Sequence, residues 1–451
     1  MRPRICELFD TASAREYTLL DEAIKKDWVE KKDELKPVKI PKGIRHPTCY
    51  LCNERMAEAH WFYHKLCYQC GEFSYQKRNL TKDLTGKKAI VTGGRVKLGY
   101  QVALKLLRAG ASVAITSRNW ENALVRYQDE PDYETWKDRL HVCRVSFDLL
   151  RIDELLGDLD RELNRIWPDG HSIDIIIHNA AQTICDVAEA PFPVQELTAP
   201  FPVQEPVTGK RKREDEEFVS NKSAKNDEKS KKRRRYPPID WVENVFPEVD
   251  RYQRKVDQRE INSWSTKFGQ VGMQEAKQVL IANAWAPFVL NQFLLPRLIN
   301  GGYIIHVHAK EGHFNSHKNL CHTHTNMAKA ALCMMTRCLA KPSTTYSDRR
   351  QYQEDWAKDL PWTDRYRKLP VTENVDYRNN SHNMTKELHV HGVDPGWFSV
   401  DEYTIETRIK KNLFFSVIDE IDAASRVVYP IFMEAPSFPG TWRHYVPLIN
   451  F

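Results

Sequence analysis

The chain has 451 residues, 41% hydrophobic and 28% charged, an ordinary globular composition with ample material for a core. No apolar run approaches the ~20 residues that cross a bilayer, and the charged start Met1-Arg-Pro-Arg-Ile-Cys-Glu7 has no apolar stretch behind it, so neither a membrane span nor a secretory leader is expected. The formal charge of +6 resides in one segment: residues 210–235 hold 12 Lys/Arg against 6 Asp/Glu, which leaves a neutral body and argues against a nucleic-acid platform over the whole surface.

Residues 1–46 are charge-rich, with a helix expected over 14–35. The next stretch, 47–81, carries Cys49-x-x-Cys52 and Cys67-x-x-Cys70-Gly71, two pairs separated by 14 residues. Each C-x-x-C is a tight turn that aims two thiolates at one ion, and two such turns complete a closed tetrahedral site for structural Zn2+. Such a site does no chemistry; it staples a module that lacks a core. Gly71 suits a turn with positive φ. With four thiols at hand, His60 and His64 are expected to be surface or packing residues.

From residue 82 strand and helix alternate. Apolar runs at 89–92, 112–116, 141–146 and 174–178 read as strands, the last apolar enough for the middle of a parallel sheet, and 98–108 has apolar residues at helical spacing. The alternation breaks at Ala190-Pro-Phe-Pro-Val-Gln-Glu196, which recurs as Ala199-Pro-Phe-Pro-Val-Gln-Glu205 and precedes Lys210-Arg-Lys-Arg213 and Lys231-Lys-Arg-Arg-Arg235. Repetition, proline and charge cannot bury a core, so 189–238 is expected to be a disordered basic insertion. A long helix over 273–298, a strand at 303–308 and a helix at 326–339 follow. A second polar insertion covers 341–387, before a strand at 389–393 and a last helix at 422–434. This pattern predicts an α/β fold over 82–451: a doubly wound parallel sheet of Rossmann type, preceded by the small zinc-binding module and interrupted by two polar insertions.

Thr92-Gly-Gly-Arg-Val-Lys-Leu-Gly99 stands between a strand and a helix, where backbone N–H groups at the helix start accept a pyrophosphate. The turn resembles the T-G-x-x-x-G-x-G of the short-chain dehydrogenase/reductase (SDR) family. Thr92, Gly93 and Gly99 match; Lys97 replaces the middle glycine, as in pteridine-reductase-like members, whose basic residue there contacts NADPH. The resemblance continues through Asp148 after the third strand, where the family contacts adenine, and through Asn179-Ala-Ala181, similar to the N-N-A-G signature with His178 and Ala181 as substitutions. Asn283 in the long helix, Lys329, and Pro395-Gly396 beside the nicotinamide complete it, over about 87–434. It implies an SDR-type domain whose cofactor is held by Thr92, Gly93, Arg95, Lys97, Leu98, Gly99, Arg118, Asp148, Asn179, Ala180, Lys329, Pro395 and Gly396. The second strand ends in Thr116-Ser-Arg118; a cation there pairs with a 2′-phosphate where an acid would bind the ribose 2′-OH, so NADP(H) is expected in preference to NAD(H). Val91-Thr-Gly-Gly-Arg-Val-Lys97, Asn179-Ala-Ala-Gln-Thr183, Asn262-Ser-Trp264 and His324-Thr-Asn-Met-Ala-Lys-Ala-Ala-Leu332 are similar to an atypical branch of the family with an N-terminal four-cysteine zinc module.

The family moves hydride between nicotinamide and a carbonyl or alcohol. A tyrosine supplies the proton, a lysine four residues on lowers its pKa, and a serine orients the carbonyl. Here Lys329 is present, Thr325 stands in the tyrosine position, and His308-Ala309 falls where the serine belongs. Six of the 16 histidines lie between His306 and His324. Imidazole titrates near neutrality, so His308 or His324 is a candidate for the lost acid, against the plainer readings of a solvated histidine-rich loop or a second metal site. The implied catalytic set is Lys329, Asn283, Thr325 and His308.

Two functions are consistent with these residues: an NADP(H)-dependent oxidoreductase of a small carbonyl or alcohol with an altered proton donor, or a non-catalytic NADP(H)-binding pseudo-enzyme acting as an interaction or regulatory protein. The basic runs within 210–235 have the composition of nuclear-import signals, which makes an import receptor an expected partner, beside the plain reading of a solvated linker. The location expected is cytoplasmic or nuclear, with neither membrane nor nucleic acid as partner. The resemblance also implies a homodimer paired through long helices.

Overall fold

The structure is a computed structural model that describes residues 38–39, 48–63, 65–168, 172–182, 262–298, 302–340, 388–398, 417–437, 440–443 and 446–448. The helix expected over 14–35 and both insertions, 189–238 and 341–387, lie outside the described residues.

A two-stranded antiparallel ribbon, β1 (Val38–Lys39) and β2 (Glu58–Ala59), belongs to the cysteine module. The main sheet comprises β3 (Lys88–Val91), β4 (Ser112–Ser117), β5 (Leu140–Ser146), β6 (Ile175–His178), β7 (Gly302–Val307), β8 (Leu388–Asp394), β9 (Thr441–Arg443) and β10 (Val446–Leu448). Their spatial order is β5-β4-β3-β6-β7-β8-β9-β10, parallel as far as β9, with β10 returning antiparallel along β9. The chain leaves β3 toward one edge, then crosses back to β6 on the other side of β3, so the switch point of the doubly wound sheet lies between β3 and β6.

Among the described residues, eight α-helices of eight residues or more serve this sheet and its module: α1 (Tyr68–Arg78), α2 (Lys97–Arg108), α3 (Trp120–Gln128), α4 (Ile152–Ile166), α5 (Met273–Leu280), α6 (Ala286–Leu294), α7 (Thr323–Leu339) and α8 (Glu420–Phe432). Strand side chains alternate between two cores. Ala89, Val91, Ile115, Ile177 and Val307 join α2 and α8 in one cluster, while Ile90, Ala114, Ile176 and Ile304 join α4 and α6 in the other. Strands buried on both faces read as unbroken apolar runs because neither face meets water.

The sequence sets residues 47–81 apart, yet the described part of this stretch packs into the domain. Leu51, Met56, Tyr63, Leu66 and Tyr75 belong to the same buried cluster as α2 and α8. Arg78, at the end of α1, places Nη1 2.6 Å from Asp419 Oδ1 and 3.1 Å from Asp422 Oδ2. Asp419 is the N-cap of α8 and forms a capping box with Asp422, whose carboxylate also accepts from the Tyr63 hydroxyl. The module is therefore docked by buried ionic and apolar contacts onto the last helix.

The expected single helix over 273–298 is α5 and α6 joined by a π-helical turn, Ile281–Trp285. The stretch Met273–Arg297 holds an 18-residue window of mean hydropathy 1.4, long and apolar enough to cross a membrane by length and composition alone, as the core helix of a soluble protein also can be. In the fold it covers the sheet, burying Val279, Ala282, Ala286, Leu290 and Leu294. Its outer face exposes Trp285 and Phe288, stacked at 5.6 Å, while α7 exposes Met327 and Met334.

Candidate functional site

The turn after β3 is a built structure. Thr92 Oγ1 donates to Ile177 O and accepts from Asn179 N and Ala180 N, both at 3.0 Å; Asn179 Nδ2 returns to Thr92 O at 3.1 Å and Gly93 O at 3.2 Å. These bonds clamp the ends of β3 and β6 together at the switch point. Gly93 has φ +72°, and a Cβ on Gly99 would fall 2.2 Å from Gly93 O and 2.4 Å from Asn179 Nδ2, so both glycines are required by geometry. Lys97, where the resemblance places a glycine, has φ +51°. Lys97 thus adopts a left-handed backbone, a conformation that costs a side-chain-bearing residue about 1–2 kcal/mol.

The N-terminus of α2 has Val96 as its N-cap, no capping side chain and no acid in its first turn. Helix-start N–H groups without a capping side chain suit an anion. Arg95 is held by Asn122 Oδ1 at 2.9 Å, and the buried Tyr127 hydroxyl donates to Gly94 O at 2.7 Å, so α3 braces the turn from beneath. Leu98 is buried in the core of α2.

The other predicted cofactor residues lie along the same edge of the sheet, at the carboxyl ends of successive strands. Arg118 follows β4, its side chain exposed and without a hydrogen bond or ion pair among the described residues. Ser146 Oγ at the end of β5 donates to Arg118 O, and Asp148 caps the next turn by accepting from Leu150 N at 3.1 Å. Pro395 and Gly396 follow β8; Gly396 has φ +87°, its N–H donates to Asp394 Oδ1 at 3.0 Å, and Pro395 O accepts from Arg426. A residue that sequence reasoning missed completes this turn: Tyr50, beside Cys49, accepts from Trp397 N at 3.0 Å, so the cysteine module touches the Pro395-Gly396 turn directly.

Lys329 lies on α7, nearly fully buried, with Nζ donating to Val307 O at 3.2 Å; burial pushes its amine below the usual lysine range. Ala328, its neighbour, packs against Val279 of α5, bringing α7 alongside the π-helical turn that carries Asn283. Asn283 Nδ2 donates to Val279 O and Gln182 O, while its Oδ1 and the Thr325 hydroxyl, both buried, have no hydrogen-bond partner among the described residues.

Four of the six histidines are not solvated: His306, His308, His313 and His324 are all at most 4% exposed, while His317 is exposed and His322 half-buried. His308 sits inside the fold, its ring nitrogens 2.9 Å from Thr441 Oγ1 and 2.7 Å from Thr336 Oγ1, and burial holds its imidazole well below the usual range, hence neutral. A neutral imidazole already bonded at both nitrogens is poorly placed to give a proton to a carbonyl. His324 has Nε2 3.5 Å from Glu275 Oε1 of α5.

The four cysteines predicted as ligands do converge. Their sulfurs lie within 4.8 Å of one another, and Cys67 N donates to Cys49 Sγ at 3.3 Å. Hydrogen bonds from Cys67 and Cys70 hold the Cys49 thiol below the usual thiol range, while the bond to Cys49 pushes Cys67 and Cys70 above it. Four thiolates this close repel one another unless a cation joins them, so the donor set fits a thiophilic ion. His60 is no ligand: Nε2 bonds Glu72 at 3.0 Å and Nδ1 accepts from Phe62 N and Tyr63 N. The expected turn at Gly71 is also corrected, because Gly71 lies in α1 and a Cβ there would fall 2.2 Å from the His60 ring.

The strand order and the glycine turn at the β3–β6 switch point define a doubly wound α/β protein of Rossmann type. No family model matches the chain. It belongs to the family of the uncharacterized protein R665 of Acanthamoeba polyphaga mimivirus, to which it is 38% identical over 447 residues, covering 98% of this chain and 84% of the relative. Among solved structures it is similar to a short-chain dehydrogenase/reductase of unknown function from Caenorhabditis elegans with cofactor (13% identical, 78% of this chain and 89% of that one, TM-score 0.43). It is also similar to a dehydrogenase/reductase from Sinorhizobium meliloti 1021 (15% identical, 80% and 93% covered, TM-score 0.43). A third is a short chain dehydrogenase from Burkholderia cenocepacia J2315 in complex with NADP (15% identical, 78% and 92% covered, TM-score 0.42).

Proposed function

We propose that the chain is an NADP(H)-dependent oxidoreductase of the SDR type that acts on a small carbonyl or alcohol with an altered proton donor. The observation that carries this reading is the turn 92–99, where Lys97 takes a left-handed backbone and sits at a helix start with no capping side chain. Thr92, Gly93, Arg95, Lys97, Leu98 and Gly99 would cradle the pyrophosphate, Arg118 the 2′-phosphate, Asp148 the adenine, Asn179 and Ala180 the sugar side, and Lys329 with Pro395 and Gly396 the nicotinamide end. The bound cofactor would supply or accept hydride. Lys329, kept below its usual range by burial, orients the ribose and lowers the pKa of a neighbouring acid, while Thr325 Oγ1 and Asn283 Oδ1 are buried groups that a substrate or water would satisfy. Zn2+ in the sulfur cluster of Cys49, Cys52, Cys67 and Cys70 would be structural, since four protein ligands close the site.

Titration with NADPH and NADH, read by tryptophan quenching, tests the cofactor assignment. NADPH should bind more tightly, and Arg118→Ala should weaken NADPH by roughly 10–100-fold, the worth of one charge-assisted contact, while leaving NADH unchanged. Equal loss of both cofactors, or no binding to the wild type, counts against it. The alternative of a non-catalytic NADP(H)-binding regulator is favoured by Thr325 and Ala309 in place of the usual tyrosine and serine. Binding of NADPH without its consumption across a panel of small carbonyls would select it.

Trp285 and Phe288 on the long helix are exposed and stacked on one another, which suits contact with a second copy of the chain. Trp285→Glu should convert a dimer to a monomer in size-exclusion chromatography, and an unchanged elution volume would remove this face from the interface. The basic runs within 210–235 suit an import receptor and a nuclear as well as cytoplasmic location; a fluorescent reporter carrying residues 190–240 should concentrate in nuclei, and an even spread would end the idea.

A further inference from the structure

We propose that His308, His313 and Cys333 form a second metal site, separate from the four-cysteine cluster, that takes a borderline-soft divalent ion such as Zn2+ and leaves one coordination position open. The three ligand atoms lie within 4.8 Å of one another, and the residues are 2%, 1% and 8% exposed. They come from three places that only the fold joins. His308 follows β7 and is pinned by its N–H to Val393 O at 2.8 Å, His313 follows the short turn Lys310–Gly312, and Cys333 is on α7.

The backbone is shaped around these side chains. A Cβ on Gly392 would fall 1.9 Å from His308 Cε1, and one on Gly312 would fall 2.9 Å from Cys333 Sγ and 2.6 Å from Lys329 O. Both glycines are places where the chain comes too close to a ligand residue to carry a side chain.

The hydrogen bonds select the tautomer that a ligand needs. Thr336 Oγ1 donates its single proton to Leu332 O at 3.0 Å, so its oxygen accepts from both His306 Nδ1, at 2.8 Å, and His308 Nε2, at 2.7 Å. The neighbouring bonds agree, since His306 Nε2 is then free to accept from Asn291 Nδ2 at 2.9 Å. His308 Nδ1 then carries the lone pair, which accepts from the Thr441 hydroxyl at 2.9 Å and lies 3.4 Å from Cys333 Sγ, where an ion would take the hydroxyl's place. An imidazole whose far nitrogen is fixed by a donor bond is the usual arrangement of a metal ligand.

His313 provides the independent sign. It is almost completely buried, yet neither ring nitrogen has a hydrogen-bond partner among the described residues. An unpaired buried polar group costs about 1–3 kcal/mol, and an ion between His313, His308 and Cys333 would remove that cost. Two imidazoles and a thiolate suit zinc, and three protein ligands leave a fourth position of the kind that catalytic zinc sites use for water or a carbonyl oxygen. Cys333 stands one helical turn after Lys329, so the ion would lie beside the lysine. Use of the open position to polarise a carbonyl rests on the oxidoreductase reading; the existence of the site does not.

Metal analysis of the full-length protein, purified in the presence of Zn2+ and without chelator, tests the site in wild type, His313→Gln and Cys333→Ser. The wild type should carry one zinc per chain more than either variant. With Co2+ in place of zinc, the variants should lose the part of the visible spectrum contributed by this centre. His313→Gln keeps a buried polar side chain of similar reach, so it decides the matter if Cys333→Ser does not fold. Equal zinc content in wild type and His313→Gln overturns the proposal. Because the readout is a difference at His313, it holds whether or not the four-cysteine cluster binds zinc and whether or not the protein turns over a substrate.

Discussion

Cys70→Ala, or removal of metal by a strong chelator, is expected to unfold the Rossmann domain together with the cysteine module. A structural zinc bound to four sulfurs contributes about 10–16 kcal/mol of apparent folding free energy, comparable with the whole stability of a domain, about 5–15 kcal/mol. The module cannot be lost locally, because Leu51, Met56, Tyr63, Leu66 and Tyr75 share a core with α2 and α8, and Tyr50 holds the Pro395-Gly396 turn. Thermal unfolding followed by circular dichroism should show one transition displaced strongly downward, with zinc released in the same temperature range. Chelation that removes zinc and leaves the transition in place would show that packing alone holds the four sulfurs.

Arg78→Met is expected to destabilise the fold by about 3–5 kcal/mol, the usual result of removing one partner from a buried ionic group. Arg78 and both of its carboxylate partners are almost wholly buried. The effect should depend on pH in a defined direction. Burial raises the carboxyl of Asp422 to about 6 despite the Arg78 guanidinium. A raised acid favours the folded state while protonated, so this contribution is lost as pH rises through about 6. At Asp419 burial is the largest influence and pushes upward, but Arg78 and the Asp422 hydrogen bonds together outweigh it and the carboxyl ends below the usual range. Its contribution is present above the ordinary carboxylate range and is lost as pH falls through the folded value. Without Arg78 both carboxyls rise, and two buried anions face each other once they ionise. Denaturant unfolding should therefore show a larger penalty for Arg78→Met at about pH 8 than at about pH 5. Adding Asp422→Asn should recover part of the loss at the higher pH; a penalty independent of pH would mean that Arg78 acts through packing on Phe62 rather than through charge.

Much of the sheet is legible in the sequence. Ile175-Ile-Ile177 and Ala89-Ile-Val91 are short apolar runs because both faces of a central parallel strand are covered, and hydrophobicity reports that burial directly. The turn 92–99 is legible for a similar reason: a tight strand-to-helix turn needs glycines where neighbouring backbone and side chains come close, and Gly93 and Gly99 are where contact distances demand them. Harder to read were the three-residue strands β9 and β10, too short to carry a period, and the π-helical turn at Ile281–Trp285, which has the same apolar composition as the helices around it. The histidines misled in the opposite sense. A cluster of six polar residues in one stretch reads as a wet loop, but His306, His308, His313 and His324 are buried, because partners from α5, α7 and β9 meet three of them there.

The sequence by itself determined what depends on local order: the alternation of strand and helix, the spacing of the two C-x-x-C turns, the glycine turn with Lys97, and the absence of tyrosine and serine from positions 325 and 309. Only the tertiary structure decided that the cysteine module docks on α8, through Arg78 and Asp419, which stand 341 residues apart. It alone decided that Tyr50 reaches the Pro395-Gly396 turn, and that Cys333 meets His308 and His313. The physical reason is the same in each case. Periodicity and spacing record what a residue requires of its neighbours in the chain, whereas a buried charge, a hydroxyl or a metal ligand requires a partner that any distant segment can supply, and which segment supplies it is settled only when the cores pack.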